Sequence, residues 1–177
     1  DSAYGVLDIS HTNLNLRPFQ LEGAQWLWWL YTEGLHGLLA DDMGLGKTHQ
    51  AMALMMSMVN HAPQENHRFL VIVPTTVLDH WLDKVNQFAP QLEPQKYHGT
   101  QRRLQLGQVT CVITSYGVAL RDAVRLSDVG WQLIVLDEAQ FIKNKASATW
   151  KSVCKIQSKM RLALSGTPME NHLEELK

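Results

Sequence analysis

The sequence has little cysteine, no surplus of positive charge and no long apolar run, and each absence removes a class of function. Cys111 and Cys154 are its only two cysteines. They are too few and too distant for a disulfide framework or a cysteine metal cluster, so both read as reduced core thiols of a cytosolic protein. The eight histidines are scattered without ligand spacing, which argues against structural zinc. No apolar stretch reaches the ~18–20 residues that span a bilayer. The longest candidate, around Trp26 to Leu30, is bounded by Glu22 and Glu33. The opening Asp1-Ser2-Ala3-Tyr4 lacks the basic-then-apolar order of a secretory leader. A cytoplasmic location without membrane contact is therefore expected. The net charge of −1 argues against a large phosphate-binding surface on this piece, though a short contact row or a second, basic domain would escape that argument. Internal repeats and low-complexity tracts are missing too.

What remains is the composition of a folded domain: 45% hydrophobic and 19% charged over 177 residues, enough for one core. Residues 1–15 show no sustained period and read as a lead-in arm, with the domain proper at 16–177. Pro18 suits a first helical turn and Gly34 an exit, with Phe19, Gly23, Trp26, Leu27 and Leu30 as the helical stripe. Strands are expected at Gly37–Ala40, Phe69–Val73, Gln95–Tyr97, Val109–Thr114, Leu133–Leu136 and Arg161–Leu164. Helices are expected at Lys47–Asn60, Val77–Phe88, Tyr116–Arg125, Ser147–Ile156 and from Asn171 onward. Such alternation predicts an α/β fold, a mostly parallel sheet covered by helices on both faces. Ligands of such sheets gather at the carboxyl ends of the strands.

Three strand ends carry chemistry. After the first strand, Asp41-Asp42-Met43-Gly44-Leu45-Gly46-Lys47-Thr48 opens a helix. Backbone N–H groups of such a turn can face phosphate oxygens, and Gly44 and Gly46 admit close approach. Lys47 would reach the β- and γ-phosphates, and the Thr48 hydroxyl would hold Mg²⁺. Asp41 stands where the general phosphate-loop pattern has its first glycine, so a plain glycine-rich turn remains the competing reading. The buried-strand pattern Trp131–Leu136 ends in Asp137-Glu138-Ala139-Gln140. Asp137 can bind Mg²⁺ and Glu138 can orient and deprotonate a water; the competing reading is an acidic helix cap. Ser165 and Thr167, in Ser165-Gly166-Thr167-Pro168, could bond the acidic loop and report its state. Asn171 with Glu174 fits a cap and no chemistry. Thr76 with Asp79 fits a capping box. Thr75-Thr76 and Thr114-Ser115 both sit between a strand and a helix, where a plain cap and a nucleic-acid phosphate contact are equally consistent. Trp26, Trp28, Trp29 and Trp81 are expected in the core.

In this order the motifs resemble the Swi/Snf branch of superfamily 2 helicase-like ATPases, from about Leu16 to the C-terminus. Leu16-Arg17-Pro18-Phe19-Gln20 with Gly23 and Trp26-Leu27 resembles the family's adenine-side motif, which implies that Gln20 reads adenine. Asp41–Thr48 is similar to the family's phosphate loop, which itself carries an acid at the first-glycine position; Asp42 stands where the family usually has Glu. Pro74-Thr75-Thr76 with Trp81 resembles motif Ia and Thr114-Ser115-Tyr116 motif Ib, implying contact of Thr75, Thr76, Thr114 and Ser115 with the DNA backbone. Asp137–Gln140 resembles the Asp-Glu-Ala-His box with Gln140 in place of His, a replacement familiar among bacterial-looking members, and Ile142-Lys143-Asn144 fits as well. Ser165–Asn171 resembles motif III. The resemblance implies a RecA-like lobe with ATP and Mg²⁺ as cofactors, Lys47, Asp137 and Glu138 as catalytic residues, and Gln140, Ser165 and Thr167 as the coupling set. It also implies ATP-driven movement on double-stranded DNA, remodelling of DNA-bound proteins, and a second RecA-like lobe bringing arginines to the γ-phosphate. This chain is then expected to be the first lobe alone, nearly inactive in hydrolysis, from a nucleoid-associated protein if bacterial.

Two rivals stand beside that expectation. An RNA-directed superfamily 2 helicase is disfavoured by Ser165–Pro168 and Gln140, which depart from the Asp-Glu-Ala-Asp group. A nucleotide-sensing or docking module without turnover is disfavoured by the intact Lys47, Asp137 and Glu138.

Overall fold

A computed structural model of the chain describes residues 5–40, 46–145 and 147–166. Six strands form one sheet: β1 (Gly37–Ala40), β2 (His67–Val73), β3 (Pro94–Tyr97), β4 (Val109–Ser115), β5 (Trp131–Leu136) and β6 (Ser158–Ser165). Their order is β1-β6-β5-β2-β4-β3, and every pairing is parallel. The helices are α1 (Pro18–Thr32), α2 (Lys47–His61), α3 (Leu78–Phe88), α4 (Tyr116–Arg121), α5 (Ala123–Ser127), α6 (Ala139–Lys145) and α7 (Ser147–Cys154). This is the expected α/β sandwich, and all six expected strands are present.

The central strands send alternate residues to opposite cores, as a doubly covered sheet requires. Phe69, Val71, Val73, Leu133 and Val135 pack with α1, α2 and α3; Leu70, Ile72, Ile134 and Leu136 pack with α4 to α7. Helix α2 lies between the sheet and α1, so it is buried on nearly every side, with Met52, Met55, Met56 and Met58 filling the space. Gly23 permits that overlay: a Cβ there would run into the side-chain amide of Gln50 on α2. Cys111 is buried on β4, and burial pushes its thiol up to about 12.

The lead-in segment is an extended strap. Asp8 N donates to Ser57 Oγ, Asn60 Nδ2 to the Asp8 and Ser10 carbonyls, and Asn13 N to the Phe88 carbonyl. It joins α2 to the end of α3 and delivers the chain to Arg17.

Four expectations need correction. The stripe of α1 is rotated: Gln20, Ala24, Leu27, Trp28 and Leu30 are buried, whereas Phe19 and Trp26 are 49% and 43% exposed. Trp29 is also half exposed, so of the four tryptophans only Trp28 and Trp81 are core. The capping box at Thr76 is absent, because residues 75–77 form a 3₁₀ turn and α3 begins after Val77 with no side-chain cap; Asp79 instead pairs with Lys96 at 2.9 Å. The single helix expected over 116–125 breaks at Asp122, whose carboxylate is drawn to Arg102 and Tyr97, and α6 was not anticipated.

Candidate active site

The carboxyl ends of the strands lie side by side, and their order sets the site. Ala40, which leads into the phosphate loop, pairs with Ser165; Leu136, which leads into the acidic pair, aligns with Ala163 on β6 and Ile72 on β2. Val73 aligns with Ser115 on the far side. The end of β6 at Ser165 therefore lies between the end of β1 and the acidic pair, and the threonine turn lies beyond the pair.

On the phosphate side, Gly44, Leu45 and the two preceding acids fall outside the described residues, as do Thr167, Asn171 and Glu174. Gly46 is described and adopts φ +85°, a left-handed conformation that favours glycine, immediately before α2. A Cβ at Gly46 would collide with the amide of Gln20. Gln20 is buried; its Oε1 accepts from Arg17 N at 2.8 Å, which aims the amide nitrogen at the loop. Beside it opens a cavity of about 450 Å³ lined by Arg17, Phe19, Gln20, Gly46, Thr48 and Lys84, among others. Lys47 is buried and Thr48 half-buried at the head of α2.

The acidic pair is locked from four sides. Asp137 N donates to the Ile72 carbonyl at 2.9 Å, extending the sheet by one rung. The Tyr116 hydroxyl donates to the Asp137 carbonyl at 2.6 Å. Trp81 Nε1 donates to Asp137 Oδ2 at 2.8 Å, and Glu138 N to Asp137 Oδ1 at 2.9 Å. Each carboxylate oxygen thus keeps a lone pair for a further ligand. Burial raises the Asp137 carboxyl above its ordinary value; the Trp81 hydrogen bond opposes the shift and the Glu138 charge adds to it, while the backbone N–H of Glu138 and the positive charge of Lys47 pull it back. Glu138 sits at φ +50°, uncommon for a residue with a side chain. Its Oε1 accepts from Gln140 Nε2 at 2.7 Å. Gly166 lies against both: a Cβ there would be 3.6 Å from Glu138 Oε1 and 3.9 Å from Gln140 Nε2. Ser165 is buried at the end of β6.

A cation suits this arrangement. Two carboxylates with free lone pairs, a partly desolvated Asp137 and the Lys47 charge form a polar cluster at the loop's edge. Gly46, without a Cβ, admits the Gln20 amide against the head of α2. These features fit Mg²⁺ with a nucleoside triphosphate.

Toward the other end of the edge, Thr75 and Thr76 are exposed. Thr114 and Ser115 are buried. The Thr114 hydroxyl donates to the Tyr97 carbonyl at 2.6 Å, and Ser115 Oγ accepts from Val118 N at 3.2 Å as the cap of α4. Of the four hydroxyls expected at a DNA backbone, Thr114 thus donates inside the fold and Ser115 accepts as a helix cap, whereas Thr75 and Thr76 face outward. A larger cavity, about 760 Å³, opens at the opposite, amino-terminal edge between Trp28, His61, Arg68 and Gln132, away from the acidic pair.

Residues 19–177 match the SNF2-related domain. The chain belongs to the SNF2-related domain family. Among the relatives, the chromatin-remodelling ATPase INO80 of Arabidopsis thaliana is 39% identical over 178 residues, covering 91% of this chain and 12% of that protein. INO80 of Saccharomyces cerevisiae is 34% identical, again over 91% of this chain and 12% of the relative. The Sulfolobus solfataricus SWI2/SNF2 ATPase core in complex with dsDNA superposes with a TM-score of 0.83 at 38% identity, covering 98% of this chain and 36% of that one. The same core domain described without DNA gives 0.81. The chain therefore spans about an eighth of the curated relatives and about a third of the solved core. These relatives are eukaryotic and archaeal, so Gln140 gives no support for a bacterial or nucleoid origin. Among the described residues no helix is long and apolar enough to cross a membrane.

Sequence reasoning missed the Trp81 and Tyr116 bonds to Asp137. Part of the signal was available for Trp81: a buried indole N–H needs an acceptor, and a tryptophan in the first turn of the helix that follows a strand end lies near the sheet's carboxyl edge.

Proposed function

We propose that the chain is the first ATP-binding lobe of a double-stranded-DNA-dependent ATPase that moves along DNA and remodels proteins bound there. The observation that carries the reading is the acidic pair at the end of β5, with Asp137 fixed by Trp81 and Tyr116 and Glu138 held by Gln140. Family membership and the likeness to a dsDNA-bound ATPase core support the choice of substrate and partner.

In this reading Gln20 selects adenine, the 44–46 backbone and Lys47 hold the phosphates, and Thr48 with Asp137 holds Mg²⁺. When bound, the metal supplies charge neutralisation across the phosphate chain. Lys47 adds positive charge at the same place. Glu138 orients the attacking water and takes its proton, and the Gln140 amide keeps the carboxylate turned toward it. Ser165, Thr167 and Gln140 relay the state of the site along β6. Thr75 and Thr76 meet the DNA backbone, so sequence preference should be weak and binding should fall with salt. A second RecA-like lobe completes the cleft. Such a protein works in a compartment that holds DNA.

The test is steady-state ATP turnover of the full-length protein with duplex DNA or with RNA, across a salt series. Stimulation by duplex DNA that weakens as salt rises is expected. Stimulation by RNA with indifference to duplex DNA would overturn the choice of polymer, and turnover absent under every condition would favour a docking module.

A further inference from the structure

Trp81 occupies an unusual position between the two halves of the carboxyl edge. It is 1% exposed and packs in the core under α3 with Leu78 and Val85. Yet its only polar atom, Nε1, reaches across 56 residues of sequence to Asp137 Oδ2 at 2.8 Å. A buried indole donating to a largely desolvated carboxylate makes a charge-assisted bond, stiffer and more directional than a neutral one. The other Asp137 oxygen accepts from Glu138 N and its carbonyl from Tyr116, so the indole is a side-chain donor that fixes the carboxylate itself.

The same helix reaches the exposed turn. Thr75 and Thr76 lie in the single 3₁₀ turn closed by Val77 N to the Pro74 carbonyl at 3.0 Å, and α3 starts at Leu78 without a break. Asp79, in the first turn of α3, is tied to Lys96 on β3 at 2.9 Å. From the threonine hydroxyls to the Asp137 carboxylate the path is two helical turns and one hydrogen bond. The turn and the indole thus belong to one continuous helical stretch.

We propose that Trp81 is a positioning residue for the metal-ligating carboxylate of Asp137, and that through it the threonine turn at 75–77 is coupled to metal and nucleotide binding. The proposal rests on the reading above, in which Asp137 holds Mg²⁺. Packing alone gives a competing account, and Trp81→Phe separates the two because it keeps most of the buried ring and removes the N–H.

The test uses full-length protein, with Mn²⁺ as the probe in the presence of a non-hydrolysable ATP analogue. Mn²⁺ affinity is read by electron paramagnetic resonance without DNA, and the ratio of DNA-stimulated to basal turnover is measured separately at saturating Mg²⁺. Trp81→Phe should weaken Mn²⁺ binding on the order of tenfold, and the stimulation ratio should fall toward one. Unchanged Mn²⁺ affinity would overturn the proposal, and weakened affinity with an unchanged ratio would overturn the coupling half. A parent protein that DNA does not stimulate would refute the DNA reading, while the metal arm would still judge the role of Trp81. If Trp81→Phe does not fold, Asp137→Asn in ¹⁵N-tryptophan-labelled protein carries the test. Exchanging a charged acceptor for a neutral one should move the Trp81 indole N–H resonance upfield, and an unmoved resonance would show that the bond is not made.

Discussion

Gly46 and Lys47 stand next to each other and make opposite demands on the chain. Gly46 needs a left-handed backbone, and a Cβ there would meet the Gln20 amide. Lys47 is buried at the head of α2, where a charged side chain is found only when it is paired, and the proposal gives it the phosphates. Gly46→Ala should cost about 1–2 kcal/mol of stability and weaken ATP binding at least tenfold, because Gln20 and the loop must both shift. Lys47→Ala should abolish Mg-ATP binding while leaving the fold intact. Calorimetric titration and thermal melting of the full-length variants check both, and parental affinity in Lys47→Ala would contradict the phosphate assignment. The turn into α2 was legible because a Gly-Lys-Thr run between a strand pattern and a helix pattern restricts both residue type and spacing; its phosphate role belongs to the proposal. Trp81 was legible only in part: a buried indole N–H needs an acceptor, but that the acceptor is Asp137 follows from the order of the strands. The φ of +50° at Glu138, which arises from the turn between β5 and α6, was not legible.

Elements were legible where periodicity was strong and misread where side chains at element ends compete with the backbone. All six strands are where alternation and apolar runs put them, but the helix expected over 116–125 breaks at Asp122. There Tyr97 and Arg102 converge on one carboxylate: the Tyr97 hydroxyl donates to Oδ2 at 2.6 Å, Arg102 Nε to Oδ2 at 2.7 Å and the second Arg102 nitrogen to Oδ1 at 2.9 Å. Arg102 also donates to the Gly99 carbonyl at 2.6 Å, so the group staples the 98–108 loop to the α4–α5 junction. The Arg102 hydrogen bonds hold the Asp122 carboxyl down to about 2. A carboxyl lowered in the folded state contributes stability above its unfolded value of about 4 and loses it as pH falls toward 2. With only 14% of its side chain exposed, Asp122→Asn should cost about 1–2 kcal/mol at pH 7. The gap between parent and variant should close between about pH 4 and pH 2. Chemical denaturation at a series of pH values checks this, and a gap independent of pH would contradict it. The helix-cap role of Ser115 was foreseen as an alternative; the internal bond of Thr114 was not, because its acceptor on β3 is set by the sheet's strand order.

At the scale of the whole molecule, strand order turns a list of motifs into a device. Because β6 lies between β1 and β5, and β2 lies between β5 and β4, the edge runs from the end of β1 at Ala40 to Ser165, the acidic pair and the threonine turn. That order was beyond reach from the sequence, whereas the parallel, doubly covered sheet was not. In the proposed two-lobed enzyme this chain supplies half of the cleft, and arginines from a second lobe would be worth ~10³–10⁵ in turnover. This chain alone should therefore show basal turnover unaffected by DNA, and a version extended through the next lobe should show stimulation; equal DNA-stimulated rates would contradict the two-lobe account. The most direct test of the central claim, that the acidic pair just past β5 serves ATP hydrolysis under the control of DNA, is turnover by full-length Glu138→Gln with saturating duplex DNA. Mg-ATP binding should persist, since Asp137, Thr48 and Lys47 remain, and the DNA-stimulated rate should fall by at least ~10²-fold as the water loses its base. A variant that turned over ATP at the parental DNA-stimulated rate would place the base elsewhere and contradict the account.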